Sequence, residues 1–228
     1  METPLQHIGI IMDGNRRWAK DNSLPTLEGY DEGERTLSDI VDHCKKRGIS
    51  VLTVFAFSTE NWKRTPDEVK YLMDLFSKMI RDRAERLIQE HVRVQFIGDL
   101  SEFSPTLHKA MLDLMEKTKD HTSFTFNIAV NYGGRAEILN AIRCINKAGI
   151  DPNTLTEEEF SNYLYTAGLP DPDLIIRTSG EQRLSNFLTW QSAYSEFYFI
   201  DIHWPDFTPT ELDKAIEDYT QRQRRFGK

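Results

Sequence analysis

Cysteine is nearly absent. Cys44 and Cys144 are the only two in 228 residues, and their spacing suits neither a metal-ligand pair nor a redox motif. Both fall in helix-period segments and read as small core residues, and so sparing a use of thiols suits a reducing, cytoplasmic setting. Long apolar runs are also missing. Nothing approaches the roughly 20 residues that span a bilayer, and residues 1–10 carry no signal-peptide pattern. Positive charge is the minority sign. The formal net charge of −8 argues against nucleic acid or an anionic membrane surface as the main partner. An anion site must therefore be a local concentration of arginine, backbone N–H groups or metal. Internal repeats, low-complexity tracts and linkers are absent, as are the glycine signatures of P-loop and dinucleotide sites.

What is present is alternation. With 39% hydrophobic residues and 28% charged ones spread along the chain, residues 1–228 suit one α/β domain with a full core. Strands are predicted at His7–Met12, Val51–Phe57, Arg93–Gly98, Phe124–Val130, Leu174–Thr178 and Phe197–Ile202. Most are continuous apolar runs, as expected of strands covered on both faces. Between them, apolar residues recur at helical spacing. Leu37, Ile40, Val41 and Cys44 form one set, ending at Gly48. Val69, Leu72, Met73, Phe76, Ile80, Ala84 and Leu87 form a second, with Pro66 near its start. Leu107, Met111, Leu114 and Met115 follow, then Ile138, Ala141, Ile142 and Ile145, then Leu212, Ala215, Ile216 and Tyr219. Such alternation implies a mostly parallel sheet flanked by helices, with ligands bound beyond the carboxyl ends of the strands.

Four strand ends carry unusual chemistry. The first runs into Asp13-Gly14-Asn15-Arg16-Arg17-Trp18. Gly14 permits a tight turn, the next helix start offers free N–H groups, and Arg16 and Arg17 can grip phosphate oxygens. Asp13 would repel a phosphate unless a cation lay between them, and Mg²⁺ commonly binds through one or two carboxylates plus substrate phosphates. The second strand ends in Ser58-Thr59-Glu60-Asn61-Trp62-Lys63-Arg64, and the fourth in Asn131-Tyr132-Gly133-Gly134-Arg135. The fifth ends in Arg177-Thr178-Ser179-Gly180-Glu181-Gln182-Arg183-Leu184-Ser185. Glu196 stands at the edge of the sixth, where a carboxylate needs a cation or several donors. Each has an ordinary reading as a helix cap, packing turn or polar loop. Together they suggest two phosphorylated substrates and Mg²⁺.

The stretches HIGIIMDGNRRWAK, LTVFAFSTENWKR, VRVQFIGD, FNIAVNYGGRAEI, DLIIRTSGEQRLSNFLTWQSAYSEFYFIDIHWPDF and the terminal RQRRFG cover nearly the whole chain. In them the sequence resembles the cis-prenyltransferases, most closely the bacterial undecaprenyl diphosphate synthases. The resemblance implies a six-stranded sheet with an apolar tunnel walled by the Leu37–Cys44 and Val69–Leu87 helices. It also implies condensation of isopentenyl diphosphate with an allylic diphosphate such as farnesyl diphosphate. Asp13 then corresponds to the Mg²⁺ ligand at the leaving diphosphate, with Gly14, Asn15, Arg16, Arg17 and Trp18 around that group. Ser58, Thr59 and Glu60 correspond to the loop near the reacting carbons, and Asn61 to the residue assisting proton removal. Trp62 and Arg64 correspond to substrate contacts. Arg177, Arg183, Leu184 and Ser185 correspond to the isopentenyl diphosphate clamp, and Glu196 to the metal-linked acid of that second site. A homodimer is implied, with the aromatic run Trp190–Phe207 available to an interface, together with transient peripheral membrane contact to deliver a long product.

The sequence departs from the family at Thr26 and Tyr30, where an arginine and a histidine normally meet the allylic diphosphate. Arg16 replaces a common glycine, and Gln182 stands where some members have histidine. These changes bear on the allylic substrate rather than on the reaction class. Small Ala56 on a tunnel-facing position favours a long product, and bulky Phe124 near the floor a shorter one. A short-chain or irregular prenyl synthase is the alternative. A non-catalytic partner subunit is the more distant one, since Asp13, Asn61, Trp62 and Glu196 are all retained.

Overall fold

The computed structural model describes residues 5–222. Its elements run β1 (His7–Ile11), α1 (Asn15–Asp21), α2 (Thr26–Lys46), β2 (Val51–Ser58), α3 (Pro66–Gln89), β3 (Val92–Ile97) and α4 (Pro105–Thr118). They continue with β4 (Phe124–Tyr132), α5 (Gly134–Lys147), α6 (Glu157–Ser161), β5 (Leu174–Arg177), β6 (Glu196–Phe199) and α7 (Pro209–Gln221). The six strands form one sheet in the order β3-β4-β2-β1-β5-β6, and every pairing is parallel. β1, β4 and β5 are buried along their whole length, which is why they read as unbroken apolar runs.

Local signals set the helix starts. Thr65, Ser104 and Thr208 each cap a helix whose first residue is proline (Pro66, Pro105 and Pro209), so a donor that would lack a partner is missing by design of the side chain. The core under α2, α3 and α4 includes Leu37, Val41, Leu72, Phe76, Ile80 and Met111, as the helical spacing predicts.

Three expectations are corrected. Cys44 is buried but Cys144 is exposed. The buried stripe of α5 is Gly134, Glu137, Ala141 and Ile145, which keeps Ala141 and Ile145 of the expected set, with Ile138 packed at its edge, but leaves Ile142 51% exposed. The last strand stops at Phe199 because residues 200–202 bend over the turn after β5, where Ser179 N–H donates to the Ile202 carbonyl at 2.8 Å and Gly180 N–H to that of Ile200 at 3.0 Å. Among the described residues no helix is long and apolar enough to cross a membrane.

His7 ties β1 into the sheet. Its Nδ1 lies 2.6 Å from the Pro170 carbonyl and its Nε2 2.7 Å from Thr53 Oγ1. A carbonyl only accepts, so Nδ1 carries the proton and Nε2 accepts from the hydroxyl. Burial lowers the pKa from 6.5 to about 4, against the pull of the Pro170 carbonyl and Asp173. The folded state therefore resists protonation that the unfolded chain accepts. Stability from this site is complete above pH 6.5 and is lost as pH falls towards 4, by up to about 3 kcal/mol. Urea denaturation across this window should show the loss, and His7→Gln, less stable at neutral pH, should flatten the slope by up to one proton.

Candidate active site at the strand ends

Because β1 lies between β2 and β5, the turns that follow these three strands meet at one end of the sheet. Gly14 adopts φ 108° and precedes α1. A β-carbon there would sit 2.2 Å from Ser179 Oγ and 2.8 Å from His203 Nδ1, so the turn requires glycine on grounds of both backbone and space. α1 has only seven residues, so positive potential at this turn comes mainly from its arginines rather than from a helix dipole.

Asp13 is held between two arginines. Arg177 Nη2 donates to its Oδ2 at 2.8 Å, and Arg17 Nη2 lies 3.0 Å from its Oδ1. Burial alone would raise the Asp13 pKa, but these two partners outweigh it and hold the carboxyl below its ordinary range. Thr178 Oγ1 and Trp204 N–H fix the Asp13 carbonyl at 2.6 and 3.0 Å. Arg177 is itself buried, 4% exposed. Its Nη1 bonds the Arg183 carbonyl and, at 2.7 Å, Ser185 Oγ, while its Nε has no partner among the described residues.

These groups head a cleft of about 640 Å³. Asp13, Asn15, Ser58, Glu60, Asn61, Arg64, Arg177 and Ser185 line its polar end, and Leu37, Ala56, Leu72, Phe76, Met79 and Ile128 its apolar end. A separate, smaller cavity of about 40 Å³ shares Leu37, Met79 and Ile128 with the cleft and is also lined by Phe96, Leu114 and Phe126. Phe124 is buried in the core but lines neither space; Phe126, two residues on and on the same strand face, lines the smaller cavity instead.

Asn61 sits in a short 3-10 turn after β2, and its Oδ1 accepts from Ser58 N–H at 3.0 Å. This leaves its amide NH₂ as the group available to a ligand. Thr59 Oγ1 bonds Glu60 at 3.2 Å.

Several expected contacts lie elsewhere. Trp62 does not line the cleft. Its Nε1 donates to Asn131 Oδ1 at 2.7 Å, and its ring packs on Phe57 and Phe103. Trp18 Nε1 is held by Asp206 at 2.8 Å. Arg16 is 61% exposed at its side chain. Arg183 is 59% exposed and paired with Glu181, and Leu184 packs beside a small core cluster with Phe187. Glu196 is the largest departure. It opens β6 opposite Leu174, at the amino end of a parallel sheet, whereas Asp13 and Arg177 lie at the carboxyl end. Its partner is Arg222 at 3.0 Å. One chain therefore does not bring Glu196 to Asp13. Of the terminal RQRRFG motif, residues 223–227 lie outside the described residues.

The cleft is also lined by Arg135, which the sequence placed at a strand end but gave no role, and by Asn186, which it did not single out. Asn186 clamps the β4 turn: its carbonyl accepts from Gly134 N–H at 2.7 Å and its Oδ1 from Arg135 N–H at 2.9 Å. The Gly-Gly-Arg turn was the available signal for Arg135. Asn186 was hidden in a loop whose positive φ values, 49° at Ser185 and 68° at Asn186, only the fold reveals.

Fold and cleft together define an enzyme of the parallel α/β class, with an arginine-rich, carboxylate-bearing head above an apolar pocket. Residues 11–227 match the prenyltransferase family described as undecaprenyl diphosphate synthase. An isoprenyl transferase of Clostridium perfringens is 54% identical over 226 residues, covering 97% of this chain and 89% of that protein. A Micrococcus luteus ditrans,polycis-undecaprenyl-diphosphate synthase, (2E,6E)-farnesyl-diphosphate specific, is 47% identical, covering 97% and 91%. Among solved structures, lavandulyl diphosphate synthase from Lavandula x intermedia, in complex with dimethylallyl diphosphate, superimposes with a TM-score of 0.93 at 34% identity and 98% coverage of each chain. The chain belongs to this prenyltransferase family. It is a transferase of isoprenoid biosynthesis, acting on isoprenoid diphosphates.

Proposed function

We propose that the enzyme condenses isopentenyl diphosphate with an allylic diphosphate, farnesyl diphosphate by preference, to make a long-chain Z-polyprenyl diphosphate of the undecaprenyl class. The observation that carries this reading is Asp13, wedged between Arg177 and Arg17 at the mouth of a cleft lined both by polar groups and by apolar side chains such as Leu37, Leu72 and Phe76. Charged heads belong at that mouth, and a growing hydrocarbon chain belongs in the apolar end.

The arginines neutralise charge as it develops on the departing diphosphate, an electrostatic contribution available only where donors are already in place. Asp13, Gly14, Asn15 and Arg17 would hold the allylic diphosphate, with Arg16 and Trp18 at its outer edge. Arg177 and Ser185 would hold the isopentenyl diphosphate, with Arg183 and Leu184 turning in from the same loop. Asn61, anchored by Ser58 and flanked by Thr59 and Glu60, would orient the proton path from isopentenyl diphosphate, since a neutral amide is a poor base. Trp62 would support that loop from behind rather than touch substrate.

Mg²⁺ is the fitting metal. Among the described residues no cluster of three or more His, Cys, Asp or Glu could hold a cation. A lone carboxylate beside a diphosphate suits a metal that keeps most of its ligands from phosphate and water. Bound there, Mg²⁺ would lower the charge of the leaving group. Glu196 would serve a metal only across a subunit boundary or after rearrangement. A homodimer built on the edge strand β6, whose Phe197, Tyr198 and Phe199 are half-buried, is part of this reading, as are a cytoplasmic location and transient membrane contact for product delivery.

A second reading, a short-chain or irregular prenyl synthase, draws on Thr26 and Tyr30 and on the closeness of the fold to lavandulyl diphosphate synthase. Mass analysis of products from labelled isopentenyl diphosphate with farnesyl or dimethylallyl starters decides between them. Long Z-polyprenyl products are expected from farnesyl diphosphate. Dominance of products of three or four isoprene units would overturn the long-chain reading.

A further inference from the structure

Tyr30 sits near the start of α2, is buried, and lines the cleft beside Asn15 and Gly33. Its hydroxyl donates to Glu68 Oε1 at 2.5 Å and accepts from Arg64 Nη1 at 2.6 Å. Arg64 Nη1 also reaches the same Glu68 oxygen at 2.9 Å. On the far side of that carboxylate, Arg16 Nη1 lies 3.8 Å from Oε2. One phenol and one carboxylate thus link four pieces of chain: α1, α2, the loop after β2 and the first turn of α3.

A tyrosine hydroxyl has a single proton to donate. Here it is committed to Glu68, and burial, reinforced by that hydrogen bond, pushes the phenol pKa upward, so it stays protonated. The hydroxyl therefore has no proton left for a phosphate oxygen, which a histidine at this position would supply. What it does have is a lone pair aimed at Arg64. That bond and the Glu68 pair occupy Nη1 and leave Nε and Nη2 of Arg64 for a ligand. Tyr30 and Glu68 hold Arg64 by one edge and present the other.

We infer that Tyr30 is a positioning residue that sets Arg64 for the allylic diphosphate, so that positive charge lost at positions 26 and 30 is replaced by an arginine oriented through a neutral phenol. This rests on the assignment of the cleft to an allylic diphosphate made above. Arg16 contributes less, since its pair with Glu68 is long and largely solvent-exposed. The arrangement confers selectivity on one substrate. Among the described residues, the hydrogen bonds of Tyr30 run to Glu68 and Arg64 and not to the Arg177–Ser185 clamp.

The test is binding without turnover. Affinity for farnesyl diphosphate with Mg²⁺, in the absence of isopentenyl diphosphate, is measured by calorimetry for the wild type, Tyr30→Phe, Arg64→Ala and the double variant. Affinity for isopentenyl diphosphate alone is measured in parallel. Losing one hydrogen bond to a charged group should weaken farnesyl diphosphate binding about tenfold in Tyr30→Phe, with isopentenyl diphosphate binding unchanged. The double variant should bind no more weakly than Arg64→Ala, because the phenol acts only through the arginine. Steady-state kinetics should show the same split, with KM for the allylic substrate raised and kcat preserved. Unchanged farnesyl diphosphate affinity in Tyr30→Phe, equal weakening for both substrates, additivity with Arg64→Ala, or no farnesyl diphosphate binding by the wild type would each overturn the inference. Failure of the broader functional reading shows separately, as a wild-type enzyme that binds both substrates and transfers nothing.

Discussion

Asp13→Ala should lower turnover by about 10³-fold or more, because it removes the carboxylate that Arg17 and Arg177 share at the cleft mouth. The loss has two parts that can be separated. Arg177 is buried and bonded to Asp13, so truncation leaves a cation without its partner and costs stability as well as rate, on the order of 3 kcal/mol. Asp13→Asn keeps the shape and returns part of the stability while losing the charge. If Asp13 acts through a metal, its effect on binding must change sign with the metal. With Mg²⁺ present, wild type should bind the allylic diphosphate more tightly than Asp13→Asn. With Mg²⁺ chelated, the Asp13 carboxylate competes with the ligand for Arg177 and Arg17, and the order reverses. Thermal denaturation, single-turnover rates and affinities in the two buffers measure all three. Wild-type turnover in a folded Asp13→Asn enzyme would remove Asp13 from the mechanism.

Gly29→Ala is the second large effect, and here two physical terms oppose each other. Gly29 lies inside α2, where alanine is the better helix former by about 1 kcal/mol. Yet an added β-carbon would stand 2.1 Å from the Asn15 carbonyl oxygen and 2.9 Å from its carbon. Both are backbone atoms, so no side chain can swing aside, and α1 must move bodily. Overpacking of this kind costs about 1–3 kcal/mol, which outweighs the propensity gain. The displaced element begins at Asn15 and carries Arg16 and Arg17, one residue beyond the Gly14 turn. A shift near 1 Å at a reacting centre can cost about 10²-fold in rate. The expected outcome is a lower melting temperature together with a large fall in kcat. A variant that gains stability and keeps its activity would show that α1 and α2 do not meet as closely as described.

The two predictions differ in how far the sequence alone supports them. Asp13 stands out at once as a carboxylate among phosphate-gripping residues after an apolar run. Gly29 offers no such signal, because a mid-helix glycine has no meaning until the helix that crosses it is known. The same contrast holds elsewhere. Trp62 and Asn61 are neighbours in the chain, but one faces Asn131 and the other the cleft. Glu196 shares the composition of a metal ligand, yet parallel pairing with β5 places it at the amino end of the sheet. Cys144 shares its helix with buried residues and still faces solvent, because the buried stripe of α5 is narrower than its apolar content.

The sequence by itself determined the existence of the six strands, the longer helices and the turn Asp13–Trp18, since burial on both faces, the 3.6-residue period and the glycine turn are local constraints; the short α6 and the end of β6 were not legible in it. Tertiary structure alone decided the strand order that sets Asp13 against Arg177 across 164 residues and Tyr30 against Glu68 across 38. Those pairings arise from how whole elements pack, and residue spacing along the chain carries no record of it.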